Sequence, residues 1–466
     1  MDNSQKNKFL HPDEETIVAQ CTPKGSGALA LIRMSGKNAI ETATKMSKLT
    51  SKEKLSEVTT HTIHYGSVID KNDKKIDQVL FLVMRAPKTF TGQDTLEITC
   101  HNNKFIIENI IQEAIKHGAR LAQNGEFTKR AFLNGKIDLV QAESINELIH
   151  AQTQMAIKSS LCQLEGSLSC WSQKIEKDLV KALALSEASF EFLDEENMEF
   201  SKQIKQILEK SINTIHSLKK TFNLQKQIKE GLRIAIIGSV NAGKSSLFNA
   251  LLAQDRAIVT EIEGTTRDSI EAGIYTNGNF ITLVDTAGIR KTNDYIEKEG
   301  IQRSLDEAKK ADIVVVVYDG SKTINEEEKN VYQNIIDSYK QKIIIVRNKI
   351  DVTPNSKKQF QPHGQIDVST IKKINIDLLE NQINKKISDL FSSIESPYLL
   401  NQRQYSLIAG LENKLQHICS MLQNDAQYEL ISYHLKEALQ QFSELSGKTI
   451  SEQSLDTVFK EFCIGK

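Results

Sequence analysis

The sequence lacks the features that mark membrane and exported proteins. No apolar run approaches the roughly eighteen residues that a membrane-spanning helix needs. The polar start, residues 1–8, has neither the apolar core of a secretory signal nor the arginine-rich amphipathic pattern of a transit peptide. We therefore expect a disordered N-terminal tail, no membrane contact and a cytoplasmic location.

Cysteine is scarce, and its spacing forms no motif. The six cysteines lie at positions 21, 100, 162, 170, 419 and 463, without a C-x-x-C pair or metal-ligand spacing. This pattern is typical of reduced thiols in a cytosolic protein.

An excess of charge of one sign is also lacking. The net charge is −1, with a sequence pI near 6.8. This balance argues against a protein that coats nucleic acid nonspecifically, so any RNA contact needs a local patch or a partner. With 466 residues, 39% of them hydrophobic and 26% charged, the chain is an ordinary globular sequence with room for about three domains.

A phosphate-binding loop stands out among the motifs that are present. Residues 238–245 fit G-x-x-x-x-G-K-[ST], in which backbone N–H groups converge on phosphates. Lys244 is expected to reach the β and γ oxygens, and the Ser245 hydroxyl to bind Mg²⁺. A strand-like run at 232–237 precedes the loop and a helical pattern follows it, so the helix N-terminus faces the anion. The nucleotide-binding residues expected here are Asn241, Ala242, Gly243, Lys244, Ser245 and Ser246.

Further motifs for the phosphates and the metal follow the P-loop in the order that a GTPase requires. Asp285 begins D-T-A-G at a strand end, where its carboxylate can hold the Mg²⁺ shell. Gly288 ends that motif and lets its N–H approach the γ-phosphate. Thr265 and Thr266 lie in the loop before, where a threonine hydroxyl can complete the metal shell and report on the γ-phosphate.

Two later motifs predict that the base is guanine. Asn348, Lys349 and Asp351 form N-K-x-D at a strand end, and the Asp351 carboxylate can accept two hydrogen bonds from N1–H and N2–H₂ of guanine. Around Ser369, the V-S-T stretch offers a backbone N–H for the guanine oxygen. Adenine cannot supply the two donors, so the motifs together predict GTP.

The glutamine that orients water in Ras-type enzymes is missing. Ile289 occupies the position just after D-x-x-G, and an isoleucine cannot orient water. Either hydrolysis is slow until a partner intervenes, or other groups in this chain take over.

The hydrophobic periodicity predicts a multidomain fold: an α+β N-terminal domain, a discontinuous all-α helical domain and an inserted α/β P-loop (Ras-like) G domain. The expected boundaries are 1–124, 125–229, 230–390 and 391–466. In the first domain we expect strands at 16–20, 28–33, 62–69, 79–84 and 96–100, and helices at 37–48 and 105–117. Long helices are predicted at 126–134, 139–169, 171–192 and 201–229. In the G domain, 270–276 and 280–284 should form an antiparallel hairpin, while 313–317 and 343–346 should be central parallel strands.

Some features allow two interpretations. The turn-rich loops 22–27 and 90–94 are either plain turns or pocket walls. The lysines of the helix at 201–229 form either a solvated face, which we prefer, or an RNA contact.

Taken together, these motifs closely resemble the tRNA modification GTPase family MnmE, also called TrmE, over nearly the whole chain. The matching segments are 19–23, 32–36, 90–92, 125–127, 130–136, 138–139, 141–143, 241–247, 264–268 and 462–466.

The resemblance implies an N-terminal domain that forms a homodimer and binds a tetrahydrofolate derivative, either 5-formyl- or 5,10-methylene-tetrahydrofolate. The residues at matching positions are Arg33, Glu97, Lys136 and Lys466. It also implies an FAD-dependent MnmG-type partner in a heterotetramer. With that partner, the family adds an aminomethyl or carboxymethylaminomethyl group to the wobble uridine of certain tRNAs.

The same resemblance implies that GTP hydrolysis accompanies G-domain dimerisation and depends on K⁺. Asn241 and the loop residues Thr260, Ile262 and Thr265 are at the positions that hold K⁺ in the family, and Glu297 is at the position that orients the attacking water indirectly. Ser239 and Val240 replace the usual Arg-Pro of the P-loop. Ala28, Ala30, Asn102 and Asn103 replace family glycines near the folate pocket.

Cys463 has two interpretations on spacing alone: a small packing residue or a catalytic thiol. We expect it at the end of a helix, where the dipole opposes a thiolate, and the resemblance favours a functional role. The alternative for the whole protein is a regulatory GTP switch that aids ribosome assembly by binding RNA, with the N-terminal domain as a dimerisation module.

Overall fold

The structure, a computed structural model, describes residues 15–189, 197–220, 222, 228–229, 231–239, 241–254, 270–276, 279–285, 306–322, 324, 326–352, 362–392, 398–424 and 427–465. These residues divide into two compact units. The described residues of the first unit lie within Met1–Ile149, Ser160–His216 and Asn401–Lys466, and those of the second lie within His150–Ser159 and Ser217–Leu400.

The first unit contains a sheet with the strand order β3-β4-β5-β6-β2-β1-β7. Its strands are β1 (Thr16–Gln20), β2 (Leu29–Ser35), β3 (Ser47–Leu49), β4 (Thr62–Ile69), β5 (Lys75–Met84), β6 (Thr95–His101) and β7 (Ala119–Leu121). Neighbours are antiparallel except β1 and β7. In β5, Val79, Phe81 and Val83 are buried while Leu80 is exposed, the period of two that one covered face requires.

Two helices cover the buried face of this sheet: α1 (Ala39–Lys45) and α2 (Lys104–Lys116). Ile107 and Ile110 of α2 join the core formed by β2, β5 and β6. The α2 N-terminus is capped by Asn103, whose side chain accepts a hydrogen bond from Phe105 N at 2.9 Å. One residue that departs from the family pattern therefore has a local structural role.

The first unit also contains most of the helical segments. They are α3 (Glu126–Leu133), α4 (Leu139–His150), α5 (Gln154–Leu164, whose first residues belong to the second unit), α6 (Ser167–Ala188), α7 (Asn197–Lys220), α11 (Gln402–Gln423), α12 (Tyr428–Ser443) and α13 (Glu452–Lys460). Helices that are distant in the sequence pack together. The rings of Trp171 in α6 and Phe442 in α12 meet edge-on with their centres 6.2 Å apart, and Ser432 Oγ donates to Ser186 Oγ at 2.8 Å.

Two predicted helices are wrong in extent. The helix expected at 37–48 ends at Lys45, because residues 47–49 pair with β4 as strand β3. The helix expected at 139–169 is three helices, interrupted after His150 and again at Gly166, which has φ of 96°. Thr153 causes part of the first break, since its hydroxyl accepts from Ala156 N and donates to Ile228 O.

The second unit is built on a sheet with the order β13-β12-β11-β8-β10-β9. Its strands are β8 (Leu232–Gly238), β9 (Ile270–Thr276), β10 (Asn279–Asp285), β11 (Ile313–Asp319), β12 (Ile343–Asn348) and β13 (Ile366–Asp367). Its helices include α8 (Lys244–Gln254), α9 (Glu326–Ser338) and α10 (Ile376–Ser392). All neighbours are parallel except β9 and β10, which confirms the predicted hairpin and the central parallel strands.

Helices cover both faces of this sheet. Ile236 and Val315 face a core that includes Leu247 of α8 and Leu379 of α10, whereas Val316 faces Tyr332 and other residues of α9. Every residue of β11 is buried. The α+β and α/β fold classes predicted from the sequence are therefore confirmed. Among the described residues no helix is both long and apolar enough to cross a membrane.

Candidate functional site

The P-loop connects the end of β8 to the start of α8, and its shape depends on residues with positive φ. Gly238 has φ of 156°, Asn241 of 62° and Gly243 of 91°. A Cβ on Gly238 would lie 2.0 Å from Val317 O, and one on Gly243 would lie 2.2 Å from Asn348 Nδ2. Glycine is required at both positions, because neighbouring strand ends approach the loop too closely for a side chain.

Lys244 begins α8 and is folded against the loop. Its Nζ donates to Gly238 O at 2.9 Å and to Ser239 O at 2.8 Å, and the residue is buried. Burial lowers the pKa of Lys244, and attraction to the Asp285 carboxylate partly offsets this. Asp285 is buried at the end of β10, which lies beside β8. The predicted lysine and metal-shell carboxylate are therefore at one edge of the sheet.

Ser245 and Ser246 are exposed on the first turn of α8. The free N–H groups and the dipole of this helix end favour an anion, and the Ser245 hydroxyl is available to a cation at the same place. Ala242 is buried beneath the loop. The structure thus brings together the described P-loop residues that the sequence predicts.

The N-K-x-D segment contacts the P-loop directly. Asn348 is fully buried at the end of β12, and its Nδ2 donates to Ala242 O at 3.0 Å. Its Oδ1 accepts from Lys349 N at 2.9 Å and from Thr370 N at 3.4 Å. Lys349 Nζ donates to Asn241 O at 2.6 Å. The phosphate-binding and base-binding segments therefore form one hydrogen-bonded structure.

Asp351 and Ser369 are also paired. A hydrogen bond from the Ser369 side chain lowers the pKa of Asp351, which keeps the carboxylate ionised and able to accept from a base. Ser369 N donates to Ile374 O at 3.2 Å. The expectation that a backbone N–H of residues 368–370 binds the guanine oxygen stays a prediction.

Several predicted residues lie outside the described part of the chain. They are Thr260, Ile262, Thr265, Thr266, Gly288, Glu297 and Lys466. Ile289, which replaces the water-orienting glutamine, is outside it as well.

The first unit brings other predicted residues to the chain's C-terminal segment. Arg33 Nε donates to Glu97 Oε1 at 2.7 Å across β2 and β6, and its guanidinium lies 5.6 Å from the centre of the Phe127 ring. Arg33 Nη1 also donates to Gly465 O at 3.4 Å, where Cys21 Sγ donates at 3.1 Å. The C-terminal segment is thus held beside the Arg33–Glu97 pair.

Lys136 and Cys463 are located differently. Lys136 Nζ donates to Pro87 O at 2.5 Å. Cys463 is exposed and lies beyond the end of α13 at Lys460, not within a helix, and its carbonyl accepts from Gly125 N at 3.3 Å. Its backbone rather than its thiol therefore makes this contact.

Two residues near the P-loop were not singled out from the sequence. Asp319 ends β11 and accepts from Lys349 Nζ at 2.7 Å. Tyr332 of α9 accepts from Ser239 N at 2.9 Å through its hydroxyl. Asp319 had one available signal, since it follows a run of apolar residues and a tyrosine at the carboxyl end of a strand, where ligands bind in α/β sheets.

Comparisons with known proteins match this architecture. The model for the family described as GTP-binding protein TrmE N-terminus matches residues 16–136, and the model for the MnmE helical domain matches residues 139–463. Among solved structures, a variant of Aquifex aeolicus Era bound to GDP.AlF4- is 24% identical, covers 39% of this chain and 66% of its own, and has a TM-score of 0.27.

Curated relatives extend the match to almost the full length. A tRNA modification GTPase MnmE from Bacillus pumilus is 37% identical over 97% of this chain and 100% of its own. The MnmE of Aquifex aeolicus is 38% identical over 97% of this chain and 100% of its own, and that of Lachnoclostridium phytofermentans is 36% identical over 97% and 99%. This chain therefore belongs to the family of the tRNA modification GTPase MnmE.

Proposed function

We propose that this chain hydrolyses GTP as part of tRNA modification. The observation that carries the proposal is the single hydrogen-bonded structure in which Asn348 and Lys349 hold the P-loop carbonyls, with Asp351 ionised beside them. A site of this construction can bind phosphates and guanine at once. Membership of the MnmE family supports tRNA as the substrate of the associated modification.

Mg²⁺ fits the groups at the P-loop. The Ser245 hydroxyl is exposed at the start of α8, and Asp285 supplies a buried carboxylate near Lys244. Hard oxygen donors of this kind suit Mg²⁺ bound mainly through substrate phosphates. We assign Ser245 and Thr266 as ligands, with Asp285 in the surrounding shell.

We also propose that K⁺ activates hydrolysis. Asn241 is exposed in the P-loop, and its amide oxygen is a suitable donor for an alkali cation. Backbone oxygens near Thr260, Ile262 and Thr265 complete the proposed set, and Glu297 orients the attacking water indirectly. The basis for these last assignments is the resemblance to the family.

A tetrahydrofolate derivative is the proposed ligand of the N-terminal sheet. Arg33 and Glu97 form a half-buried pair of opposite charge, with side chains 19% and 15% exposed. A carboxylate can accept hydrogen bonds from a pterin ring, and an arginine can bind a glutamate tail. Lys136 and Lys466 are assigned to the same ligand, which would supply the one-carbon unit.

The position of the C-terminal segment supports a functional Cys463. Gly465 has φ of 90°, and a Cβ there would lie 2.6 Å from Gln20 O, so the segment fits closely against the N-terminal sheet. This arrangement places the exposed Cys463 two residues from the carbonyl that Arg33 contacts.

The proposed assembly is a homodimer that works with an FAD-dependent MnmG-type protein in the cytoplasm, forming the aminomethyl or carboxymethylaminomethyl group on the wobble uridine. One face of the N-terminal sheet supports the homodimer: Ile63, Tyr65 and Leu80 are 65%, 52% and 44% exposed, and Tyr65 and Leu80 are directly opposite each other on β4 and β5. Exposed apolar patches of this kind mark protein interfaces. We also propose that the chain is divided into domains at the boundaries expected from the sequence, 1–124, 125–229, 230–390 and 391–466.

Two measurements test the proposed function. The purified chain should hydrolyse GTP but not ATP, and mass spectrometry of tRNA nucleosides should show loss of the wobble modification in cells lacking this gene. GTP hydrolysis with unchanged nucleosides would leave a GTPase with another target. Binding of 5-formyltetrahydrofolate by the intact protein, and its loss in Arg33→Ala, would support the folate assignment separately.

A further inference from the structure

Asp319 lies at the carboxyl edge of the second sheet, where its carboxylate contacts its own loop and the N-K-x-D segment. Its Oδ1 accepts from Ser321 N at 2.9 Å and from Ser321 Oγ at 2.6 Å, and its Oδ2 accepts from Lys349 Nζ at 2.7 Å. Burial raises the pKa of Asp319, but the hydrogen bonds from Lys349 and Ser321 outweigh burial and hold the pKa below its usual value. Asp319 is thus a fixed, ionised carboxylate.

Lys349 transmits this fixed position to the P-loop. The same ammonium that binds Asp319 also donates to Asn241 O at 2.6 Å. Lys349 and Asn241 both have left-handed backbones, with φ of 65° and 62°. This conformation is uncommon for a lysine and easier for an asparagine, and the bridge from Asp319 through Lys349 to Asn241 helps to hold both residues in it.

We infer that Asp319 is a positioning residue for guanine-nucleotide binding, which acts by holding Lys349 across the P-loop and the base-binding segment. The inference rests on the proposed GTP site and adds to it a residue that has no place among the predicted motifs. Without the carboxylate, the lysine keeps one of its two described partners. The Asn241 carbonyl alone then holds the ammonium, so the link between the N-K-x-D segment and the P-loop becomes less rigid.

The sign of the effect separates positioning from simple electrostatics. A carboxylate near a phosphate-binding loop repels an anionic nucleotide, so removing its charge should tighten binding if charge alone matters. Positioning predicts the opposite result: Asp319→Asn should release the nucleotide faster. The asparagine keeps the size of the side chain and an acceptor oxygen, so a faster release reports the weaker hold on Lys349.

The test uses the full-length protein and a fluorescent N-methylanthraniloyl GDP, with dissociation followed by stopped flow. Asp319→Asn should raise the dissociation rate on the order of tenfold, the size expected for weakening a hydrogen bond between charged groups. The matched control is Asp337→Asn on α9, an exposed aspartate paired with Lys340, which should leave the rate unchanged. The ratio of affinities for GDP and inosine diphosphate should stay as in the wild type, since Asp351 rather than Asp319 reads the base.

A double-mutant cycle tests whether Asp319 acts through Lys349. In a Lys349→Met background, Asp319→Asn should add little to the dissociation rate, because residues that act as one unit are not additive. Additive effects would overturn the inference, as would an Asp319→Asn rate equal to or slower than that of the wild type.

Ser321→Ala covers the case in which Asp319→Asn does not fold. It removes one hydrogen bond to the same carboxylate and should speed release less, but in the same direction. An unchanged rate in this variant would overturn the inference. Failure of the wild type to bind the fluorescent GDP at all would instead refute the proposed nucleotide site.

Discussion

At the scale of single residues, Asp351 is the side chain that we expect to recognise the guanine base. The Ser369 hydrogen bond keeps this carboxylate ionised, so it can accept from both N1–H and N2–H₂ of guanine. We expect Asp351→Asn to change the nucleotide preference from GTP to XTP, because an amide can donate to the oxygen that xanthine carries at that position. Fluorescent-nucleotide titration measures both affinities, with Asp337→Asn as the control. Unchanged GTP affinity would remove Asp351 from base recognition.

How well a residue could be predicted depended on whether its partners are near in sequence. The P-loop and N-K-x-D residues were identified because backbone geometry fixes their spacing within one loop. Asp319 and Tyr332 were missed because their partners, Lys349 and Ser239, are thirty and ninety-three residues away. The role of Asn103 as a helix cap, by contrast, is local: asparagine is a favoured N-cap residue, and it stands immediately before the helix.

At the scale of elements, the error in the helix predicted at 139–169 has a physical reason. Apolar residues continue at helical spacing through the interruptions, so periodicity alone indicates one helix. The interruptions come from Thr153, which bonds to Ile228 some seventy-five residues away, and from Gly166 with its positive φ. Only the second of these carried a local signal.

The contact between α4 and α11 depends on a buried ion pair. Arg403 donates through Nε and Nη2 to both oxygens of Glu143, at 2.6 and 2.8 Å, and Gln404 donates to Glu143 as well. We expect Glu143→Gln to cost about 2–3 kcal/mol of unfolding free energy, because it leaves the arginine without its counter-charge in a largely buried position. Urea unfolding followed by the fluorescence of Trp171 measures this loss of stability. Trp171 is the one tryptophan in the sequence, and it lies in the same compact unit as Glu143 and Arg403.

The exposed pair between Glu176 and Lys448 provides the matched control for this experiment. Its side chains are 30% and 54% exposed, so Glu176→Gln should cost less than about 1 kcal/mol. Equal losses in the two variants would mean that burial of the Glu143 pair does not determine its contribution.

The C-terminal segment after α13 gives a prediction that separates the two activities. Cys463 contributes its carbonyl to Gly125 and exposes its thiol, so Cys463→Ser should preserve the fold of the segment. We expect this variant to hydrolyse GTP normally and to lose tRNA modification. Both activities should be assayed on one preparation, with Cys170→Ser, another exposed cysteine, as the control. Full modification by Cys463→Ser would return the residue to a packing role.

At the scale of the whole molecule, the order of the two sheets and the helices along the chain is predictable from the sequence, but some of the short strands are not. A sheet with mostly antiparallel strands, a set of helices and a mostly parallel sheet follow one another as expected. The short strands β3 and β7 were not predicted, because three residues carry too little periodicity to identify a strand. Such short strands are defined by their pairing with longer strands, as β3 pairs with β4 and β7 with β1.

The missing glutamine at position 289 leads to the last prediction. The charge that develops on the transferred phosphoryl group must be met by another group, and an arginine finger, where one operates, contributes on the order of 10³–10⁵ in rate. A K⁺ ion at Asn241 would place positive charge in the same region. Asn241 is exposed in the P-loop and its backbone carbonyl is held by Lys349, so its amide oxygen is available as a ligand beside the phosphates.

We therefore expect single-turnover GTP hydrolysis to rise steeply in K⁺ compared with Na⁺ at equal ionic strength. Asn241→Ala should abolish this difference while GTP still binds, because the Lys244 and Asn348 contacts to the loop involve other residues. Glu297→Ala should bind GTP and K⁺ normally but hydrolyse GTP poorly, because Glu297 serves the water rather than the cation. Equal rates in Na⁺ and K⁺ would refute the cation mechanism. Normal turnover by Glu297→Ala would show that a different group orients the attacking water. The K⁺ mechanism would then depend on the result for Asn241→Ala, which is a separate test.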